Sequence, residues 1–158
     1  METDLAGMRK MAEELGGKMS PHLAAVLERD WKAEDFTNAV MTRKAVYNRM
    51  WRFMRGYDLL LTPTLAVPPF ETGIQGPEVI DGREVPSTYW LSFTFPINMT
   101  GQPAATIPAG FTEGGLPVGM QIIGRHLDDG LVLRAAAAFE AARPQNDRWP
   151  RLLEEMGL

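Results

Sequence analysis

Serine, lysine and histidine are the residues of this chain that could carry acyl-transfer or acid–base chemistry, and their spacing decides whether they do. The serines are Ser20, Ser87 and Ser92; none adjoins another and none is flanked by glycine. Lys10, Lys18, Lys32 and Lys44 stand in polar, helix-like surroundings. Ser92 and Thr94 lie among aromatic residues, but a serine nucleophile needs a base within hydrogen-bond reach and donors for an oxyanion. No histidine or lysine is near them in sequence, so they read as hydroxyls packed in place or bonded to helix backbone. His22 and His126 fall in different elements, and Asp128-Asp129 serve better as helix caps than as ligands. Gly114-Gly115 lack the strand–loop–helix order and the Lys-Ser/Thr pair of a phosphate cradle, and read as a tight reversal. No catalytic residue, metal or cofactor is assigned.

The elements around these residues follow from pattern. Ser20-Pro21 is a helix start, an N-cap followed by proline at the first helical position, for a short helix to about Arg29. Phe36, Ala39, Val40, Tyr47, Met50 and Met54 recur at helical spacing and share one face of a longer helix, capped near Asp35 and stopped by Gly56. Lys44, Arg49, Arg52 and Arg55 on the other face read as solvated charge. Asp58 to Thr62 predicts a buried strand, residues 65–86 a surface loop, and Ser87 to Asn98 a helix that Pro96 kinks or ends. Ala104–Ala109 and Val118–Ile123 read as strands joined by a hairpin through Phe111–Leu116, with at least one strand internal to a sheet. Asp128 or Asp129 starts a helix over Leu131–Ala142 that Pro144 ends, and Arg148–Leu158 predicts a short amphipathic turn.

The stretch FPINMTGQPAATIPAGFTEGGLPVGMQIIG, Phe95 to Gly124, is the most specific in the chain. Together with Tyr57-Asp58-Leu59-Leu60-Leu61-Thr62-Pro63-Thr64 it closely resembles the C-terminal part of amidase-signature enzymes, serine amide hydrolases and related amidotransferase subunits. The resemblance runs from about Met19 to Arg143. It implies an α/β fold, a mixed β-sheet flanked by helices, of which this chain supplies the C-terminal portion. It also implies a nucleophilic serine, a second serine in a cis peptide and a buried lysine, and nothing in this chain matches that triad. Met1 falls where a full-length relative is still in mid-chain. Residues 1–19, rich in glycine, methionine and charge and broken by Gly16-Gly17, are expected to be a loosely ordered segment, and 20–158 a partial domain.

By the same resemblance Tyr89, Trp90, Leu91, Thr94 and Phe95 match the family segment that lines the substrate pocket. Asn98, Gly101 and Pro63 are assigned structural roles, Asn98 as a tie to the loop backbone of the active-site wall. Amidotransferase subunits tend to carry an acidic residue five before the proline matching Pro96. Here that position is Leu91, which cannot pair with an ammonium group and favours a less polar substrate.

Composition narrows the partners. At 158 residues and 45% hydrophobic, the chain is long enough to bury a core as one domain. A net charge of −4 disfavours nucleic acid and anionic membrane surfaces. The absence of cysteine excludes disulfides and thiolate chemistry and suits a cytoplasmic protein, and no run of about 18 apolar residues suggests a membrane span. A small-molecule amide substrate is expected only if an N-terminal half complements the chain. Edges and apolar faces cut from a shared sheet predict self-association or a complementary polypeptide. The alternatives are a non-catalytic interaction module and, less favoured because of Leu91, a fragment of an amidotransferase component.

Overall fold

The computed structural model describes residues 5–144, and the expected turn at 148–158 lies outside them. The chain divides into two compact units between Met41 and Thr42. The first holds helices α1 (Leu5–Leu15) and α2 (Pro21–Glu28) and the start of α3 (Ala33–Met54). Ser20 caps α2, its Oγ accepting from the Leu23 N–H at 3.4 Å, with Pro21 in the first turn. Residues 5–15 form a regular helix where only a weak pattern was expected, and Gly16 and Gly17, both at positive φ, end it. Arg9 of α1 donates to the carbonyls of Leu27 (2.8 Å) and Arg29 (3.1 Å), satisfying groups that the end of α2 leaves open.

The cap expected at or just before Asp35 is made by Asp35 from inside the first turn of α3. Its carboxylate accepts from the Lys32 N–H at 3.0 Å while its own N–H donates to the Lys32 carbonyl, half of a capping box. The apolar stripe of α3 is only partly covered. Met54 is buried, whereas Phe36 and Val40 remain 43% and 65% exposed.

The second unit is built on a three-stranded antiparallel sheet, β1 (Leu59–Pro63), β5 (Pro117–Gly124) and β4 (Ala104–Phe111), in the order β1-β5-β4. At least one strand of the hairpin was expected to be internal; it is β5, whose residues from Gln121 to Gly124 are buried. Strand alternation divides its side chains between two faces. Ile122 and Met120 pack with Ile107, Ala105 and Leu59 against Val132, Ala135 and Phe139 of α5 (Asp129–Ala142). A Cβ on Gly124 would lie 2.6 Å from the Val132 side chain, so only glycine lets α5 approach this closely. Gly119, Gln121 and Ile123 point the other way. β1 was expected to be buried, but it lies at the sheet edge and Leu61 is 55% exposed.

Two further departures bear on function. Ser87–Asn98 is not one helix but a 3-10 turn, Tyr89–Leu91, followed by α4 (Phe95–Thr100). Pro96 begins α4 rather than ending a helix, since its missing N–H costs nothing in a first turn. Within 65–86, β2 (Val79–Ile80) and β3 (Arg83–Glu84) form a small hairpin across Asp81-Gly82, whose φ values of 51° and 71° suit a two-residue turn. The α/β class stands.

Arg125, just beyond β5, fastens the α3–β1 junction. Its Nε donates to the carbonyls of Met54 (3.3 Å) and Tyr57 (3.0 Å), and its Nη2 reaches Asp58 at 2.7 Å. The Asp58 side chain is 78% exposed, so the ion pair contributes little and the carbonyl bonds dominate. Arg125→Ala is expected to lower urea-unfolding stability by about 1–3 kcal/mol, and Asp58→Asn by less than about 1 kcal/mol. Equal losses from the two variants would contradict this ranking.

Candidate functional site

The 3-10 turn and α4 bring Tyr89, Trp90, Leu91, Thr94 and Phe95 onto one continuous bend of the chain. The hydroxyls of Ser92 and Thr94 donate back to the carbonyls of Tyr89 and Leu91, so they close the turn and offer no nucleophile. Gln121 holds this bend to the sheet. Its amide nitrogen donates to the Thr62 hydroxyl at 3.1 Å and to the Phe93 carbonyl at 3.0 Å, and the residue is only 5% exposed. Gly101 closes α4 in the left-handed conformation (φ 70°), its N–H donating to the Ile97 carbonyl at 2.8 Å.

Trp90 is the second fastening. Its indole N–H donates to the Gln75 carbonyl at 3.1 Å, and its ring meets Phe70 edge-on at 5.3 Å. Its own carbonyl accepts from the Ala66 N–H at 3.0 Å. Gly76 permits this, because a Cβ there would lie 2.2 Å from the Ser87 carbonyl and 2.4 Å from the indole. The loop after β1 is thus pinned at both its start and its middle.

Beside that loop lies a groove of about 400 Å³. Its floor is Gly119, where a Cβ would come within 2.8 Å of Thr64 Oγ1 and 3.0 Å of Thr106. The two threonine hydroxyls stand 3.4 Å apart on either side. Val67, Pro68, Pro69 and Pro117 form apolar walls, and no ionisable side chain lines the groove.

Other candidate groups are engaged or solvated. Ser20 is a helix cap, and Lys10, Lys18, Lys32 and Lys44 are all exposed. Among the described residues no helix is long and apolar enough to cross a membrane.

Residues 8–133 match the family profile described as Amidase. The chain belongs to the amidase-signature family. It is 40% identical over 141 residues to an acylamidase of Rhodococcus erythropolis, covering 85% of this chain and 29% of that relative. It is also 40% identical over 114 residues to the A component of the glutamyl-tRNA(Gln) amidotransferase of Thermotoga maritima, covering 71% of this chain and 22% of the relative. Among solved structures it superposes on a bacterial aryl acylamidase of the amidase signature family with a TM-score of 0.79 and 32% identity, over 91% of this chain and 32% of that one. It superposes on a 6-aminohexanoate cyclic dimer hydrolase complexed with substrate with a TM-score of 0.74 and 26% identity, over 94% and 34%. The chain therefore spans about a third or less of the length of these amidase-signature relatives.

The five residues that the resemblance marks as pocket lining are together, with their side chains differently turned. Tyr89 and Phe95 are 51% and 46% exposed, Leu91 and Thr94 are half-buried, and Trp90 is turned onto the loop. Asn98 is exposed and its side-chain amide makes no hydrogen bond to the described residues. Buried Thr100 closes the end of α4 locally, its hydroxyl bonding the Pro96 carbonyl at 2.9 Å and the Gln102 side-chain carbonyl. Pro63 ends β1 opposite Met120, and the Thr64 N–H carries the ladder on to the Gly119 carbonyl at 2.9 Å. Gln121, Thr64, Thr106 and Gly119 were missed; the alternation of β5 was the signal for Gln121 and Gly119, and Thr64 and Thr106 carried none. Gly76→Ala is expected to push the indole off Gln75 and release the loop, read as lost hydrogen-exchange protection at the Ala66 N–H. Unchanged protection at Ala66 would show that Trp90 does not hold the loop.

Proposed function

We propose that this chain is the C-terminal portion of an amide hydrolase, supplying scaffold and substrate-pocket wall while an N-terminal portion supplies the covalent chemistry. The observation that carries the reading is the family membership joined to the state of two of the three serines and the lysines: Ser20 accepts from a helix N–H, Ser92 donates to the Tyr89 carbonyl, and every lysine is exposed. In the assembled enzyme an activated serine would attack the amide carbonyl, release the amine and form an acyl-enzyme that water hydrolyses. The bend at Tyr89–Phe95 would form one wall of that pocket, held in place by Gln121. Alone, the chain would not turn over amides.

The partner we infer is a polypeptide that carries the missing part of the fold, in a cytoplasmic setting. Large apolar side chains stand exposed in each unit: Phe36, Val40 and Met41 in the first, and Trp51, Leu61 and Leu133 in the second. Faces of this kind favour association, either with a complementary chain or with a second copy. The similarity to the A component of glutamyl-tRNA(Gln) amidotransferases supports a second reading, part of a larger amidotransferase assembly. Leu91, where the resemblance leads one to expect an acid, weighs against it.

The test is co-expression with the N-terminal remainder of the Rhodococcus erythropolis acylamidase. The expected result is a co-purifying complex that hydrolyses a simple anilide, while neither part alone does. Turnover by this chain alone, or two parts that neither associate nor turn over, would overturn the reading.

A further inference from the structure

Tyr47, Trp51 and Arg55 follow one another at four-residue steps, so they share one face of α3 and the turn that ends it. That face and the segment leaving β5, Arg125-His126, enclose a pocket of about 230 Å³, with Met54 and Gln102 completing the lining. The His126 ring stands edge-on to Tyr47 at 6.0 Å. No acidic side chain lines the pocket, although the whole chain carries a net charge of −4. Local charge here runs opposite to that of the molecule, and walls of aromatic ring and methionine strengthen its field.

Gln102 is what distinguishes this pocket from a patch of surface arginines. The residue is only 8% exposed, and its side-chain carbonyl takes the Thr100 hydroxyl. Its amide nitrogen bonds none of the described residues. Among those residues no buried side-chain nitrogen or oxygen lacks a partner, so this nitrogen is not sealed in the core. It opens to the pocket that Gln102 lines. A primary amide nitrogen has two N–H donors, and leaving them unmet on a side chain so deeply buried is costly. A ligand that accepts hydrogen bonds removes that cost.

The charged groups have donors left over as well. Arg55 makes no side-chain hydrogen bond or ion pair with the described residues, and its guanidinium lies over Trp51 at 5.4 Å. Arg125 uses Nε on the Met54 and Tyr57 carbonyls and Nη2 on Asp58, which leaves both Nη1 hydrogens. The C-terminal end of a helix ordinarily repels an anion. Here the Arg52, Phe53 and Met54 carbonyls already accept from the N–H groups of Arg55, Gly56 and Tyr57. We propose that this pocket binds a small oxyanion, a phosphate or carboxylate group, held by the guanidinium groups of Arg55 and Arg125 and by the Gln102 amide nitrogen. The inference is independent of the hydrolase reading, because the sign of the charge and the donors come from the lining alone.

The experiment is an NMR titration of the full chain with inorganic phosphate and, separately, with acetate, at constant ionic strength in sodium chloride. Saturable shifts are expected at the Gln102 side-chain amide, at the Nε–H groups of Arg55 and Arg125, and at the His126 backbone N–H. Saturation with either probe upholds the site, and the tighter of the two identifies the group it takes. Arg55→Gln, at an exposed position, should weaken binding about ten-fold, the worth of one charge-assisted hydrogen bond. Arg134→Gln removes the same charge from an exposed position on α5 outside the pocket and should leave the affinity unchanged. Gln102→Leu should also weaken binding, and the Arg55 variant decides the matter if that protein does not fold. Shifts that fail to saturate with both anions, or saturation that spares Gln102, would overturn the proposal. So would equal weakening by the two arginine variants, or an unchanged affinity in Arg55→Gln.

Discussion

A buried amide must find hydrogen-bond partners, and Gln121 finds them on two different parts of the chain. Its nitrogen bonds Thr62, 59 residues away on β1, and the Phe93 carbonyl, 28 residues away on the bend before α4. In a low-dielectric setting each bond is strong and each loss is costly, so the amide admits one arrangement of three segments. Gln121 sits in the middle strand, with Thr62 and Thr106 opposite it on the two neighbours. Sheet register and placement of the bend before α4 are therefore one constraint. Among the described residues no buried side-chain polar atom lacks a partner.

The two faces of the sheet are used differently. The Ile122 face is apolar and closed by α5, and it supplies stability. The Gln121 face carries hydroxyls, an amide and a glycine beside fully buried Ile123, and it supplies positions. Burial is modest for a chain this hydrophobic: the buried apolar residues are few, while Trp51, Phe53, Leu61 and Leu133 stand exposed.

Legibility from sequence followed the range of the interaction. The β4–β5 reversal was readable because Thr112 to Leu116 closes it locally, with the Leu116 N–H on Thr112 Oγ1 at 3.1 Å and Gly115 at φ 80°. The Ser20-Pro21 start was readable for the same reason. The helix expected over Ser87–Asn98 failed because Trp90 and Phe93 are committed to distant partners, which local propensity does not register. The Asp81-Gly82 hairpin was local and legible in principle, but proline and charge around it suggested only a loop. The groove could not be read at all. Thr64 and Thr106 meet only through strand register, across 42 residues, and neither lies in the segment that the family resemblance marked as pocket lining.

The central claim is that one buried amide couples the Tyr89–Ile97 bend to the sheet, and native-state hydrogen exchange of Gln121→Leu tests it most directly. The account predicts that the N–H groups of Ser92, Thr94 and Ile97 lose protection while Ile122 and Ile123 keep theirs. Unchanged exchange across residues 89–97, or an equal loss throughout β5, would contradict it.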